Sequence, residues 1–131
     1  MSVALDELVA RLPALRLLRE PGDLEHYGRD WTRRWTPAPL AIALPGSADE
    51  VQAIVRWANE HRIALVPSGG RTGLSGGAVA AHGELVVSLA RMNHVVGFDA
   101  ADRTLTVEPG MPLEAVHAAA REHGLVYPVD F

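Results

Sequence analysis

The sequence predicts an α+β fold, a small sheet built around a strand–helix–strand crossover, with antiparallel strands and two main helices beside it. Three observations carry that expectation. Two short apolar runs flank a helix-length segment with its own start signal. A second amphipathic segment opens at a proline. Between the two helical segments lie β-branched stretches separated by turn residues. The chain has 131 residues, 48% hydrophobic and 21% charged. That suits one domain or a piece of one, because a chain of this size buries roughly two thirds of its unfolded surface.

Taken in order, Ser2 is positioned to cap a helix running to about Arg11, which Pro13 ends. Leu15 to Leu18 reads as extended, and Pro21, Gly22 and Asp23 start a second helical turn. Trp31 to Pro39 is a loop, since Pro37 and Pro39 exclude a helix interior. Leu40 to Leu44 is a continuous apolar run and reads as a buried strand. Ser47 and Glu50 have the spacing of a capping box, each satisfying an amide of the first turn. The helix that follows places Val51, Ile54, Val55 and Ala58 on one stripe as far as His61. Ile63 to Val66 is a second buried strand, expected to run parallel to the first through a right-handed crossover. Glu84 to Leu89 and Val95 to Asp99 are extended, and Ala100 to Asp102 turns into Thr104 to Val107, a hairpin with the preceding strand. Gly110 and Pro112 open the last helix, with Leu113, Val116 and Ala120 on one face. Gly124 ends it, and Leu125 to Tyr127 makes a closing strand.

The formal charge is −4, and all 12 basic residues are Arg. No cationic surface field follows, which disfavours a nucleic-acid or anionic-membrane binder. The absence of Cys removes disulfides, thiolate metal sites and cysteine nucleophiles. Leu5, Leu8, Val9 and Leu12 are interrupted by Asp6, Glu7 and Arg11, so the N-terminus is amphipathic rather than an export signal. Nothing has the length of a membrane span. A cytoplasmic location is the expectation. His117 and His123 are six apart, off the face that helical metal pairs use, and no metal site is expected. His61 and His123 complement helix C-termini. Arg33 and Arg34 between Trp31 and Trp35 form a packed loop with their charges in water.

The chemistry concentrates between Pro67 and Gly77, where glycine stands at 69, 70, 73, 76 and 77. Two readings fit such density. One is a flexible surface turn. The other is a nest of amides that an anion approaches closely, with Ser68, Thr72 and Ser75 offering hydroxyls beside it. The segment leaves an apolar strand, where open α/β sheets hold ligands. There is no Lys for a Walker A loop, the spacing holds no Gly-x-Gly-x-x-Gly, and no long helix follows.

Pro67, Ser68, Gly69, Gly70, Arg71, Thr72, Gly73, Leu74, Ser75, Gly76 and Gly77 resemble the pyrophosphate-binding loop of FAD-linked oxidases of the vanillyl-alcohol-oxidase and p-cresol-methylhydroxylase type. Asp30 and Trp31, the strand from Pro39 to Leu44, the segment Ser88 to Asn93, Thr106 to Gly110 and Tyr127 to Asp130 follow in that family's order. Within it the chain is most similar to the D-2-hydroxy-acid dehydrogenases, those acting on glycolate, D-lactate and D-2-hydroxyglutarate.

The resemblance implies that residues 1–131 are the N-terminal lobe of a two-lobe FAD-binding domain, with 1–36 a helical and loop lead-in and 37–131 the core. It implies FAD as cofactor and assigns Pro67, Ser68, Gly69, Gly70, Arg71, Thr72, Gly73 and Leu74 to its diphosphate, with the Arg71 side chain turned to solvent. Pro128 and Asp130 resemble the segment passing near the flavin ring. Some relatives tether the flavin through a His where this chain has Arg71, so a non-covalent flavin is implied. The activity implied is oxidation of a 2-hydroxy acid to a 2-keto acid. The second lobe and the substrate cap, with their catalytic groups, have no counterpart here; no catalytic residue is assigned, and the fragment is expected to be inactive alone. The alternative is a non-catalytic remnant or interaction module that keeps the fold without flavin.

Overall fold

The computed structural model describes residues 2–130, with side chains from residue 4 onward. Helix α1 (Ser2–Arg11) leads to strand β1 (Arg16–Leu18), helix α2 (Pro21–Tyr27) and strand β2 (Ala41–Leu44). Helix α3 (Ala48–His61) follows, then β3 (Leu65–Ser68), β4 (Leu85–Ser88) and a 3-10 turn at Leu89–Arg91. Strands β5 (Val95–Asp99) and β6 (Thr104–Val107) precede helix α4 (Leu113–Glu122). The α+β expectation holds.

Strands β1, β2, β4 and β3 form one sheet in that order, with β1 antiparallel to β2 and the other three mutually parallel. The crossover strands β2 and β3 run parallel as expected, yet β4 sits between them. Strands β2 and β4 are buried along their whole length, which is why their sequences are unbroken apolar runs. Side chains alternate between two faces. Ala41, Ala43, Leu85 and Val87 face Leu5 and Leu8 of α1 and Ile54, Trp57 and Ala58 of α3. Ile42, Leu44, Val66 and Val86 face Ala80, with Leu24 and Tyr27 of α2 alongside. Strands β5 and β6 are a separate antiparallel pair. Their turn is held by Asp99 Oδ1, which accepts from Ala101 N at 2.8 Å and Asp102 N at 3.0 Å.

Several local expectations are corrected. Ser2 lies in the first turn of α1 instead of preceding it. Ser47 caps α3 by accepting from Glu50 N at 3.2 Å, but Glu50 Oε2 accepts from Gly46 N at 2.7 Å, one residue before the cap. Val55 is 41% exposed, and Trp57 takes the buried flank of the stripe instead, its Nε1–H donating to Ala4 O at 3.0 Å. The strand expected at Ile63–Val66 begins at Leu65, because Arg62 in the left-handed region and the Ile63 N to Ala58 O bond finish the helix first. Leu89 belongs to the 3-10 turn rather than to β4. The closing strand at Leu125–Tyr127 does not form. Gly124 at φ +69° and the Leu125 N to Ala120 O bond turn the chain at the helix end, and Val126 is 83% exposed and pairs with no strand among the described residues.

Candidate functional site

Because β2, β3 and β4 are parallel, their carboxyl ends open at one rim, and the 3-10 turn stands there too. Such a rim is where open α/β sheets hold ligands. Residues 69–84 connect β3 to its parallel neighbour β4, so they must return along the sheet. They do this as a loop, and the loop has two unlike halves.

Its second half is stitched to the lobe. Gly76 N donates to Asp30 Oδ2 at 3.2 Å. Ala80 N donates to Gly28 O at 3.0 Å, Ala38 N to Ala80 O at 2.8 Å and Gly83 N to Ala38 O at 2.9 Å. Gly76 has φ +81°, and a Cβ there would stand 3.0 Å from the Trp35 ring. Trp35, 42% exposed, thus lays its ring against the loop, whereas Trp31 is 73% exposed and Arg33 and Arg34 lie on the surface.

The first half is unbonded. Among the described residues, the amides from Gly69 to Ser75 donate to no backbone or side-chain acceptor. A Cβ at Gly69 or Gly73 would meet nothing within 4 Å, and at Gly70 only Thr72 Cγ2 at 3.9 Å. None of these three glycines has positive φ. Neither backbone conformation nor packing within the chain therefore requires glycine at these positions. They leave the main chain open to close approach by a group from outside. Arg71, at φ +57°, supplies the left-handed step found in anion-binding nests. Free amides, space for close approach and that reversal of backbone hand fit a diphosphate.

The predicted residues divide in their roles. Pro67 and Ser68 belong to β3, paired with Val87 and Ser88 of β4. Pro67 has no N–H to offer, and as part of an edge strand it is tolerated there. Gly69, Gly70, Arg71, Thr72, Gly73 and Leu74 form the open half of the loop, with Leu74 66% exposed. The Arg71 side chain does not turn to solvent. Its Nη2 donates to His26 Nε2 at 3.0 Å, and its Cζ lies 4.8 Å from the Tyr27 ring centroid, so it packs on α2. Pro128 and Asp130 are exposed and lie beyond α4, where a His117 ring nitrogen stands 2.7 Å from Val129 O. Among the described residues no hydrogen bond joins that segment to the glycine loop.

Sequence reasoning did not assign a role to Asp30. It is 4% exposed, and Oδ1 accepts from Thr32 Oγ1 at 2.7 Å and Thr32 N at 2.9 Å, while Oδ2 takes Gly76 N. These donors, the Thr32 hydroxyl first, hold its carboxyl below the usual aspartate range. The Asp-x-Thr spacing is a local turn signal; its reach to Gly76 is not. Ser68 and Ser88, 2% and 0% exposed, have hydroxyls without a partner among the described residues.

Two other features do not suit an anion. A groove between the hairpin and α4 is lined mainly by apolar groups, among them Phe98, Leu105, Val107, Leu113 and Val116. Glu7, Glu60 and His61 converge, but Arg11 pairs with both Glu7 and Glu60, and His61 with Glu7 at 3.0 Å, making an exposed ion-pair network. His123 stacks on Phe98 at 3.7 Å. No helix among the described residues is long and apolar enough to cross a membrane.

Comparison with known proteins bears on this geometry. A family model described as FAD binding domain matches residues 39–131. A D-2-hydroxyglutarate dehydrogenase of Xanthomonas citri pv. viticola is 78% identical over 120 residues, which are 92% of this chain and 25% of that protein. A D-2-hydroxyglutarate dehydrogenase of Stutzerimonas stutzeri is 50% identical over 127 residues, 97% of this chain and 27% of that one. The chain thus spans about a quarter of the length of these relatives. Among solved structures, p-cresol methylhydroxylase with substrate bound superimposes with a TM-score of 0.78, covering 95% of this chain and 25% of that chain at 24% identity. That likeness is one of fold.

Proposed function

The chain belongs to the FAD-binding domain family, and from that premise we propose that its glycine loop holds the diphosphate of FAD as the first lobe of a flavin-dependent 2-hydroxy-acid dehydrogenase. The observation that carries the reading is the set of unbonded amides from Gly69 to Ser75 in a loop whose glycines no internal contact requires. Main-chain N–H groups bind phosphate oxygens without a counter-cation when several converge. Thr72, exposed beside them, adds a hydroxyl donor. Gly69 and Gly70 let the phosphate reach van der Waals contact with the main chain. Arg71 is held by His26 and Tyr27, so its part is to set the loop's backbone hand rather than to pair the charge. Asp30 fixes the loop's far end through Gly76. Pro128 and Asp130 are proposed to approach the flavin ring once the remaining lobe is present.

When bound, FAD supplies the electron acceptor that oxidation of a 2-hydroxy acid to a 2-keto acid needs. The substrate class follows relatives named D-2-hydroxyglutarate dehydrogenase. The substrate cap and the second lobe belong to the rest of such a polypeptide. With Arg71 where some relatives carry a tethering His, the flavin is held without a covalent bond.

The test is thermal unfolding with and without FAD, together with a fluorescence titration of the flavin. A ligand that prefers the folded chain raises stability by about 2.7 kcal/mol at a hundred times its Kd. FAD is expected to raise Tm in a concentration-dependent way, and ADP to compete with it. A Tm indifferent to FAD, with flavin fluorescence unchanged by the protein, contradicts the reading.

A further inference from the structure

Ser68 and Ser88 are register partners on neighbouring parallel strands. Their side chains therefore leave the same face of the sheet, the one lined by Val66 and Val86. Both stand at the carboxyl ends of their strands, one step beyond those valines and directly where the glycine loop departs. Both are buried, and neither hydroxyl has a partner among the described residues. A buried hydroxyl without a partner destabilises the chain that contains it. Two at adjacent positions, where a run of unbonded amides begins, point to a ligand the free chain lacks.

We infer that Ser68 and Ser88 form a hydroxyl pair that binds the diphosphate from below while the amides of Gly69 to Ser75 bind it from above. Ser88 thereby becomes a ligand that the glycine-loop motif does not contain. The inference rests on the proposed reading of that loop as a diphosphate site. Its chemistry is simple: phosphate oxygens only accept, and each hydroxyl has one proton to donate. Neighbouring strands lie about 4.8 Å apart. Hydroxyls on them can both reach one phosphate group, at the 2.7 to 2.8 Å or so of a good O–H···O bond. Both hydroxyls are buried in the free chain, and the run from Gly69 to Ser75 that follows Ser68 holds no internal bond through its amides among the described residues. Moving that run toward a ligand breaks no hydrogen bond donated by those amides.

The experiment compares the unsubstituted chain with Ser88→Ala and Ser68→Ala, using FAD and inorganic pyrophosphate as probes. Binding is read by flavin fluorescence and calorimetry, and Tm is measured without ligand. Each substitution is expected to weaken FAD and pyrophosphate about tenfold or more, as loss of a bond to a charged acceptor does. Tm without ligand should stay level or rise, because an unsatisfied hydroxyl has been removed. Unchanged affinity in Ser88→Ala overturns the inference and leaves the loop reading standing. A Tm without ligand several degrees lower overturns it too, since the hydroxyl then has a structural partner. Failure of the unsubstituted chain to bind either probe removes the loop reading and this inference with it.

Discussion

The two halves of the loop between β3 and β4 use the same residue type for opposite purposes. From Gly76 to Gly83 the backbone is tied to Asp30, Gly28 and Ala38, and Gly76 is glycine because its φ is +81° and a Cβ would press on the Trp35 ring at 3.0 Å. From Gly69 to Ser75 nothing among the described residues ties the amides, and the glycines there have open space and no positive φ. Gly76 has a reason within the fold, whereas Gly69, Gly70 and Gly73 leave a bare, open main chain beside unbonded amides. Strand β3 fixes where the open half begins and the stitched half fixes where it ends, which limits the entropy the open half loses when a ligand orders it.

Substituting one glycine in each half separates stability from binding. Gly76→Ala forces a left-handed residue against an indole ring, and a loss on the order of 3 kcal/mol is expected in chemical denaturation. Asp30→Asn should have a smaller effect on stability, seen as a lower Tm, because the amide replaces one acceptor oxygen by a donor facing Gly76 or Thr32. The same carboxylate sets a pH dependence. Its folded-state pKa lies below its unfolded value of about 3.9. Its stabilising contribution is therefore complete above that unfolded value and is lost as pH falls through the lower folded one. Trp35 fluorescence should report loosening of the stitched half only in that acid range, and a transition near neutrality would count against Asp30 as the anchor. Arg71→Leu removes the bond to His26 and the contact with Tyr27, the latter about 0.5 to 1 kcal/mol at a surface site, and should weaken FAD by less than about tenfold, because the left-handed step loses its anchor while no phosphate ligand is removed. Gly70→Ala should change stability least, within about 0.5 kcal/mol, yet weaken FAD at least tenfold.

How much of this was legible in the sequence depends on how far each interaction reaches. The Ser47 cap, the apolar run of β2 and the β5–β6 hairpin with its Asp99 turn are local, and each lies where pattern and turn chemistry placed it. The choice of Trp57 over Val55 was not decidable from period alone. Ile54 and Ala58 define a stripe with two possible flanks, and only the carbonyl of Ala4 selects one of them. The insertion of β4 between β2 and β3 depends on strand order, which no local signal encodes. Leu125 to Tyr127 has strand propensity, but the turn at Gly124 and the Leu125 N to Ala120 O bond direct it away from strand pairing. At the site, glycine density and position after a strand were visible in the sequence. The anchoring of Gly76 by Asp30, 46 residues away, and the committed side chain of Arg71 were not. Ser88 looks like any serine until its burial is known.

The amide cup itself is tested most directly by following the backbone N–H resonances and hydrogen exchange of Gly69 to Ser75 as FAD is added. The account predicts fast exchange in the free chain, then downfield shifts and marked slowing confined to this run, with the amides of Gly76, Ala80 and Gly83 protected in both states. If flavin binds while the amides from Gly69 to Ser75 keep their shifts and exchange rates, the diphosphate is held elsewhere and the central claim is wrong.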